Sequence, residues 1–207
     1  MTGRLPDDEL GPAGAPADLD AKLAAAIERA GQAIRVQLWD KAKEHGVTPT
    51  QLQVLLRLAS DPPARRKVGA VAAELDVTHP TISDAVTVLR RKGLVEPRAP
   101  RRGAPPALTS RGRALTGELA TWHERTRRAL ADVPDADKQA SLRFLLDLIA
   151  ALQRAGVVSV ARMCVTCRFF RPDAHPGDTR RHHCALVDMP MSDGELRVDC
   201  PEHVRAA

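Results

Sequence analysis

Apolar residues recur at helical spacing over most of the chain. Leu19, Leu23, Ala26, Ile27, Ala30, Ile34, Leu38 and Trp39 fall on one face and predict a long helix from Asp18 or Leu19 to His45, stopped by Gly46. Thr48-Pro49-Thr50-Gln51 then starts a second helix with a cap, a first-turn proline and a capping-box side chain; Leu52, Leu55, Leu56 and Ala59 form its stripe. Two short helices follow, one over about Lys67–Leu75 and one from His79 capped by Thr78, separated by the turn Asp76-Val77-Thr78. Ile82, Ala85, Val86 and Leu89 form the inner face of the latter, and Gly93 ends it. Leu94-Val95 and Ala107-Leu108 predict two short strands around a Pro-rich tip, PRAPRRGAPP (97–106). Thr109 caps a further long helix with Leu115, Leu119 and Trp122, which Pro134 breaks. A last amphipathic helix carries Leu142, Leu145, Leu146, Ile149 and Leu152 and ends near Gly156.

The pattern predicts a mainly α fold: a winged helix-turn-helix between long N- and C-terminal helices, with a small Cys-rich appendage. Three segments follow: a disordered tail over 1–18, rich in Pro, Gly, Ala and Asp; a helical domain over 19–156; and a module over 157–207. The N-terminus has no apolar run, so a signal peptide and a membrane span are not expected, and a cytoplasmic location is.

Charge changes the picture where it is concentrated. The chain carries a formal +5, yet residues 85–113 alone carry +7, with eight Arg or Lys against one Glu. An anionic partner is therefore expected at this stretch. Aromatics make up only 2% and Tyr is absent, which argues against stacking of unpaired bases. Duplex DNA fits better. The second helix of a helix-turn-helix enters the major groove by its N-terminal end and outer face. Here His79, Thr81, Ser83, Thr87 and Arg91 occupy those positions, with Asp84 beside them. Hydroxyls, imidazole and guanidinium groups can bond base edges or phosphates. On the wing, Arg98, Arg101 and Arg102 are the candidates for the backbone or the adjacent minor groove.

The stretch VAAELDVTHPTISDAVTVLRRKGLVEPR (71–98), followed by LTSRGRAL (108–115), resembles the MarR family of bacterial transcription regulators. The resemblance extends over roughly residues 19–156, about two-thirds of the chain. It implies a homodimer with interlocked N- and C-terminal helices, bound to a pseudo-palindromic promoter site, usually as a repressor, and responsive to a small-molecule effector. In such dimers each recognition helix reads one half-site, with half-sites about 34 Å apart. Many family members place an Asp two residues before a wing Arg. The tip here contains no Asp, which leaves open which of the three arginines reaches DNA.

All four Cys fall in the last segment: Cys164 and Cys167 as C-x2-C, then Cys184 and Cys200. In a reducing compartment this clustering predicts a metal site, structural or sensing metal or redox state, and a metal would supply folding energy that a segment poor in apolar residues lacks. Zinc suits four thiolates, or three with His182, His183 or His203; if all four Cys bind, His182 and His183 are bystanders. An iron–sulfur cluster is the rival, because the tail with its CRFF and Cys-Ala-Leu segments is similar to the pattern of high-potential iron–sulfur proteins. Zinc is favoured on the availability of His and because Phe169 and Phe170 are the only aromatics there to shield a cluster. A redox dithiol at Cys164 and Cys167 is a third reading, and makes a thiol oxidoreductase or electron carrier the alternative function. A protein-interaction adaptor is another. No Gly-rich phosphate loop or paired acid and base supports an enzyme, so none is expected.

Overall fold

The computed structural model describes residues 18–97 and 104–206. Seven α-helices are present among them: α1 (Leu19–Glu44), α2 (Pro49–Ser60), α3 (Val68–Glu74), α4 (His79–Arg91), α5 (Ser110–Leu119), α6 (Glu124–Ala129) and α7 (Asp135–Arg154). A small antiparallel sheet follows, ordered β1 (Phe170–Arg171), β2 (His182–Cys184) and β3 (Met189–Met191). The predicted disordered tail lies outside the described residues except for Asp18, whose carboxylate caps α1 by accepting from the Asp20 amide.

Local chemistry sets the helix ends. Thr48 and Gln51 form the reciprocal capping box expected at the start of α2. Thr78 and Thr109 accept from the third residues of α4 and α5. Gly46 and Gly93 adopt φ of 64° and 68°, the left-handed conformation that glycine enters without steric cost.

Two expectations need correction. The long helix expected from Thr109 to Pro134 is broken into α5 and α6. At the break the Thr121 hydroxyl donates to the Glu118 carbonyl, a local bond that competes with helix continuation. The two wing strands reduce to a single antiparallel bridge between Val95 and Leu108, with Glu96 N–H donating to Ala107 O at 2.8 Å.

Two cores result. The first gathers Leu52, Leu55 and Leu58 of α2, Val71 of α3, Ile82, Val86 and Leu89 of α4, Val95 and Leu108 of the wing base, and Leu119 of α5. The second is built from Leu146 and Ala150 of α7 with Ala161, Met163, Cys164 and Leu196. The α7 stripe thus supplies apolar surface that the Cys-rich segment lacks. The α1 stripe is different: Leu19 and Trp39 are 66% and 62% exposed, and only Ala42 of that helix is buried.

Candidate nucleic-acid interface and cysteine cavity

Helices α3 and α4 meet through Val71 and Ala72 on one side and Ile82, Ala85 and Val86 on the other. Asp76 makes the turn between them with φ of 49°, a conformation that Asp tolerates better than most residues. Burial of the inner face turns His79, Thr81, Thr87 and Arg91 outward, where all four are exposed; Ser83 is half-buried. The Thr87 hydroxyl donates to Ser83 O at 2.9 Å, which leaves its oxygen free to accept. Thr81 and the cap Thr78 bring their hydroxyl oxygens within 2.8 Å of each other. The outer row is therefore small, polar and preorganised, the kind of surface that a major groove accommodates. Asp84 is exposed on the same helix.

The base of the wing is held by cations. Arg90 Nε donates to Glu96 O, Arg111 to Lys92 O and Arg113 to Leu108 O, while Lys92 reaches back to Gly46 O and Gln51. Half of the eight cations in the basic stretch thus position the wing and its neighbouring turns, a role that charge counting does not reveal. Arg91 remains exposed, and Arg98, Arg101 and Arg102 lie outside the described residues. Sequence reasoning missed the function of Gly112. A Cβ there would stand 2.0 Å from Leu94 O, so α5 can cross the wing base this closely only with glycine.

The Cys-rich segment brings its four thiols to one place. Cys164 opens a 3-10 turn, Cys167 ends it, Cys184 closes β2 opposite Phe170 and Met189, and Cys200 lies on the last loop. All four are free and line a single cavity of about 30 Å³ with Phe169, Phe170, Leu186, Met191 and Glu202. Burial pushes the Cys164 thiol up, and the neighbouring Cys200, Cys184 and Cys167 push the same way, against the Arg197 amide that donates to its sulfur at 3.2 Å.

No histidine lines that cavity. His182 is fully buried, its Nδ1 accepting from the Asp173 amide and its Nε2 lying 3.0 Å from Asp193 Oδ1. His183 lies between His175 and Asp188, and His203 Nε2 sits 2.9 Å from the Thr166 hydroxyl. Among the described residues, no group of three or more Cys, His, Asp or Glu stands in an arrangement that could hold a metal ion as placed.

The module is clamped to the helical body. Asp199, next to Cys200, accepts from Arg57 at 3.0 Å, Arg65 at 2.8 Å and Arg162 at 3.1 Å. Arg162 also pairs with Glu74 of α3, which in turn pairs with Arg57. Burial would raise the Asp199 carboxyl, but the bonds from Arg65, Arg57 and Arg162 outweigh it and hold the group below the usual carboxylate range. A second tie joins the Ser159 amide to Asp76 Oδ1 at 2.9 Å, at the helix-turn-helix turn itself.

Residues 45–104 match the model of the MarR family. Solved structures share the fold. A MarR family transcription regulator is 21% identical with a TM-score of 0.59, over 67% of this chain and 93% of that one. A MarR family protein from Bacillus stearothermophilus is 17% identical with a TM-score of 0.56, over 68% and 99%. The YusO protein of Bacillus subtilis is 20% identical with a TM-score of 0.51, over 67% and 99%. Each is matched nearly whole, which leaves roughly a third of this chain outside them. No curated protein is significantly similar to the chain. Among the described residues, no helix is long and apolar enough to cross a membrane.

Proposed function

We propose that this protein is a dimeric, non-enzymatic DNA-binding transcription regulator of the cytoplasm, a repressor acting at a pseudo-palindromic promoter site. The observation that carries the reading is the outer face of α4. Its exposed row of His79, Thr81, Thr87 and Arg91, with Ser83 behind, is presented by a helix-turn-helix whose segment matches the MarR family model, and the sequence between the bridge residues Val95 and Leu108 supplies Arg98, Arg101 and Arg102. The hydroxyls and imidazole read base edges, and the arginines contact phosphates or a guanine.

A second copy covers the α1 stripe. Leu23, Ile27 and Ile34 lie on it, each more than a third exposed, and contiguous apolar surface of this kind marks an association site. Dimerisation sets two recognition helices about one helical turn of DNA apart. An open pocket of about 230 Å³ between α1 and the α5–α6 region, lined by Gln37, Lys41, Trp122 and Arg125, is the place for a small-molecule effector. The four cysteines hold a metal that braces or switches the dimer.

Footprinting on the protein's own upstream region tests the reading. The expected result is one protected pseudo-palindrome with half-sites about 10 base pairs apart, centre to centre. Uniform, sequence-independent protection, or none, would overturn it.

A further inference from the structure

One acid stands among the outward groups of α4. Asp84 is exposed, and the residues three and four positions away on its face are Pro80, Thr81, Thr87 and Val88, with Arg91 two turns on. None of the four neighbours is a cation, so the helix offers Asp84 no ion pair of its own. Among the described residues its side chain makes neither a salt bridge nor a hydrogen bond. It does not serve the helix dipole either, because it lies past the first turn of a helix that begins at His79. The buried face is Ile82, Ala85, Val86 and Leu89, so Asp84 adds nothing to the core. Helix stability gives no account of a carboxylate at this position.

The charge also runs against its surroundings. Residues 85–113, which begin beside it, carry +7, and DNA phosphates drawn to that stretch would approach the Asp84 carboxylate. Seating a duplex here costs repulsion and desolvation unless the carboxylate finds a donor. In the major groove the base-edge donors are the exocyclic amines of cytosine and adenine; guanine presents two acceptors, and thymine an acceptor and a methyl. Adenine carries its N7 acceptor beside the amine, where it repels the second carboxylate oxygen, whereas cytosine presents the amine alone. Thr87, three residues on, adds a second acceptor, since its proton is committed to Ser83 O at 2.9 Å. Two acceptors in succession on one face make amine-bearing bases their complement.

We infer that Asp84 is a specificity-determining residue, which accepts a hydrogen bond from a cytosine N4 amine in each half-site and excludes guanine and thymine from that position. The inference rests on the reading of α4 as the recognition helix and names a base that it reads. A carboxylate so placed trades affinity for selectivity, because it weakens binding to every duplex that lacks the amine.

The test is selection from a pool of randomised duplexes by the full-length protein. Affinities for the selected duplex and for an unrelated one of equal length are then compared at one salt concentration. The parent should select a cytosine at one position of each half-site. Asp84→Ala should lose that selection and bind the selected duplex about tenfold more weakly. It should bind the unrelated duplex at least as tightly as the parent, since a charge that repels phosphates is gone; this also shows that the variant folds. Changing the cytosine to thymine should weaken the parent about tenfold and Asp84→Ala hardly at all. Asp84→Asn should move the preference to adenine, the base that an amide pairs with. Opposite responses on the two duplexes are what a merely structural residue does not produce. An equal fall on both, or base selection unchanged in Asp84→Ala, would overturn the inference while the regulator reading stands. A parent that selects no sequence would overturn both.

Discussion

Asp199 accepts a hydrogen bond from Arg65 at 2.8 Å, which ties the residue before Cys200 to the turn between α2 and the helix-turn-helix. Arg57 and Arg162 complete the contact, and Arg162 carries it to Glu74 on α3. Asp199 is 37% exposed, so solvent screening reduces the value of each pair. Asp199→Asn should therefore cost only about 1 kcal/mol in stability, read by denaturant unfolding. It should also make the unfolding of the Cys-rich segment separate from that of the helical body in hydrogen exchange. Unchanged stability and exchange would show that the clamp holds nothing.

Gly112 and Gly117 lie on the same helix and should respond in opposite directions to alanine. An open helical glycine gains up to about 1 kcal/mol on that change, and Gly117 has nothing within 4 Å of the added methyl. At Gly112 the methyl would meet Leu94 O at 2.0 Å, so Gly112→Ala should cost about 2 kcal/mol or more and displace the wing. Chemical denaturation of the two variants side by side checks the sign. Two stabilised variants would mean that the wing base tolerates the shift.

Dimer formation should depend on the α1 stripe. Ile34 is 39% exposed, and Ile34→Glu would place a charge in the covered face. Sedimentation velocity should show a dimer for the parent and a folded monomer for the variant, with binding to a two-half-site duplex weakened at least about tenfold, some 1.4 kcal/mol. A variant that stays dimeric would move the interface elsewhere.

Much of this architecture is legible in the chain because its signals are local. Thr48 with Gln51, Thr78, Thr109, Gly46 and Gly93 mark helix ends through chemistry confined to a few residues, and the structure uses all of them. The outward set on α4 follows from the inward set, since burial of Ile82, Ala85, Val86 and Leu89 leaves the other residues no choice of face. What sequence reading misses is pairing across long separations. Glu74, Arg162 and Asp199 look like unremarkable surface charges until folding joins them. The use of Arg90, Lys92, Arg111 and Arg113 as braces of the wing base and its neighbouring turns is invisible for the same reason. The apolar lining of the thiol cavity escapes because Leu186 and Met191, which join Phe169 and Phe170 there, lie far from Cys164 and Cys167 in sequence.

The cysteine module should influence DNA binding through its two ties to the helix-turn-helix. Under the proposed metal assignment, a chelator added under anaerobic conditions should change operator affinity in the parent, and the change should be smaller in Asp199→Asn, where one tie is already lost. Equal responses in parent and variant would place the coupling elsewhere.

The central claim is that α4 and the wing bind duplex DNA, and its most direct test is affinity for the footprinted duplex across a salt series. Log affinity should fall linearly with log salt, with a slope of about −0.9 for every phosphate contacted. Arg101→Ala and Arg102→Ala should weaken binding and flatten the slope by about one per lost contact, while Thr87→Ala should reduce preference for the operator at an unchanged slope. Affinity that is indifferent to salt, or wing variants that bind like the parent, would contradict the account.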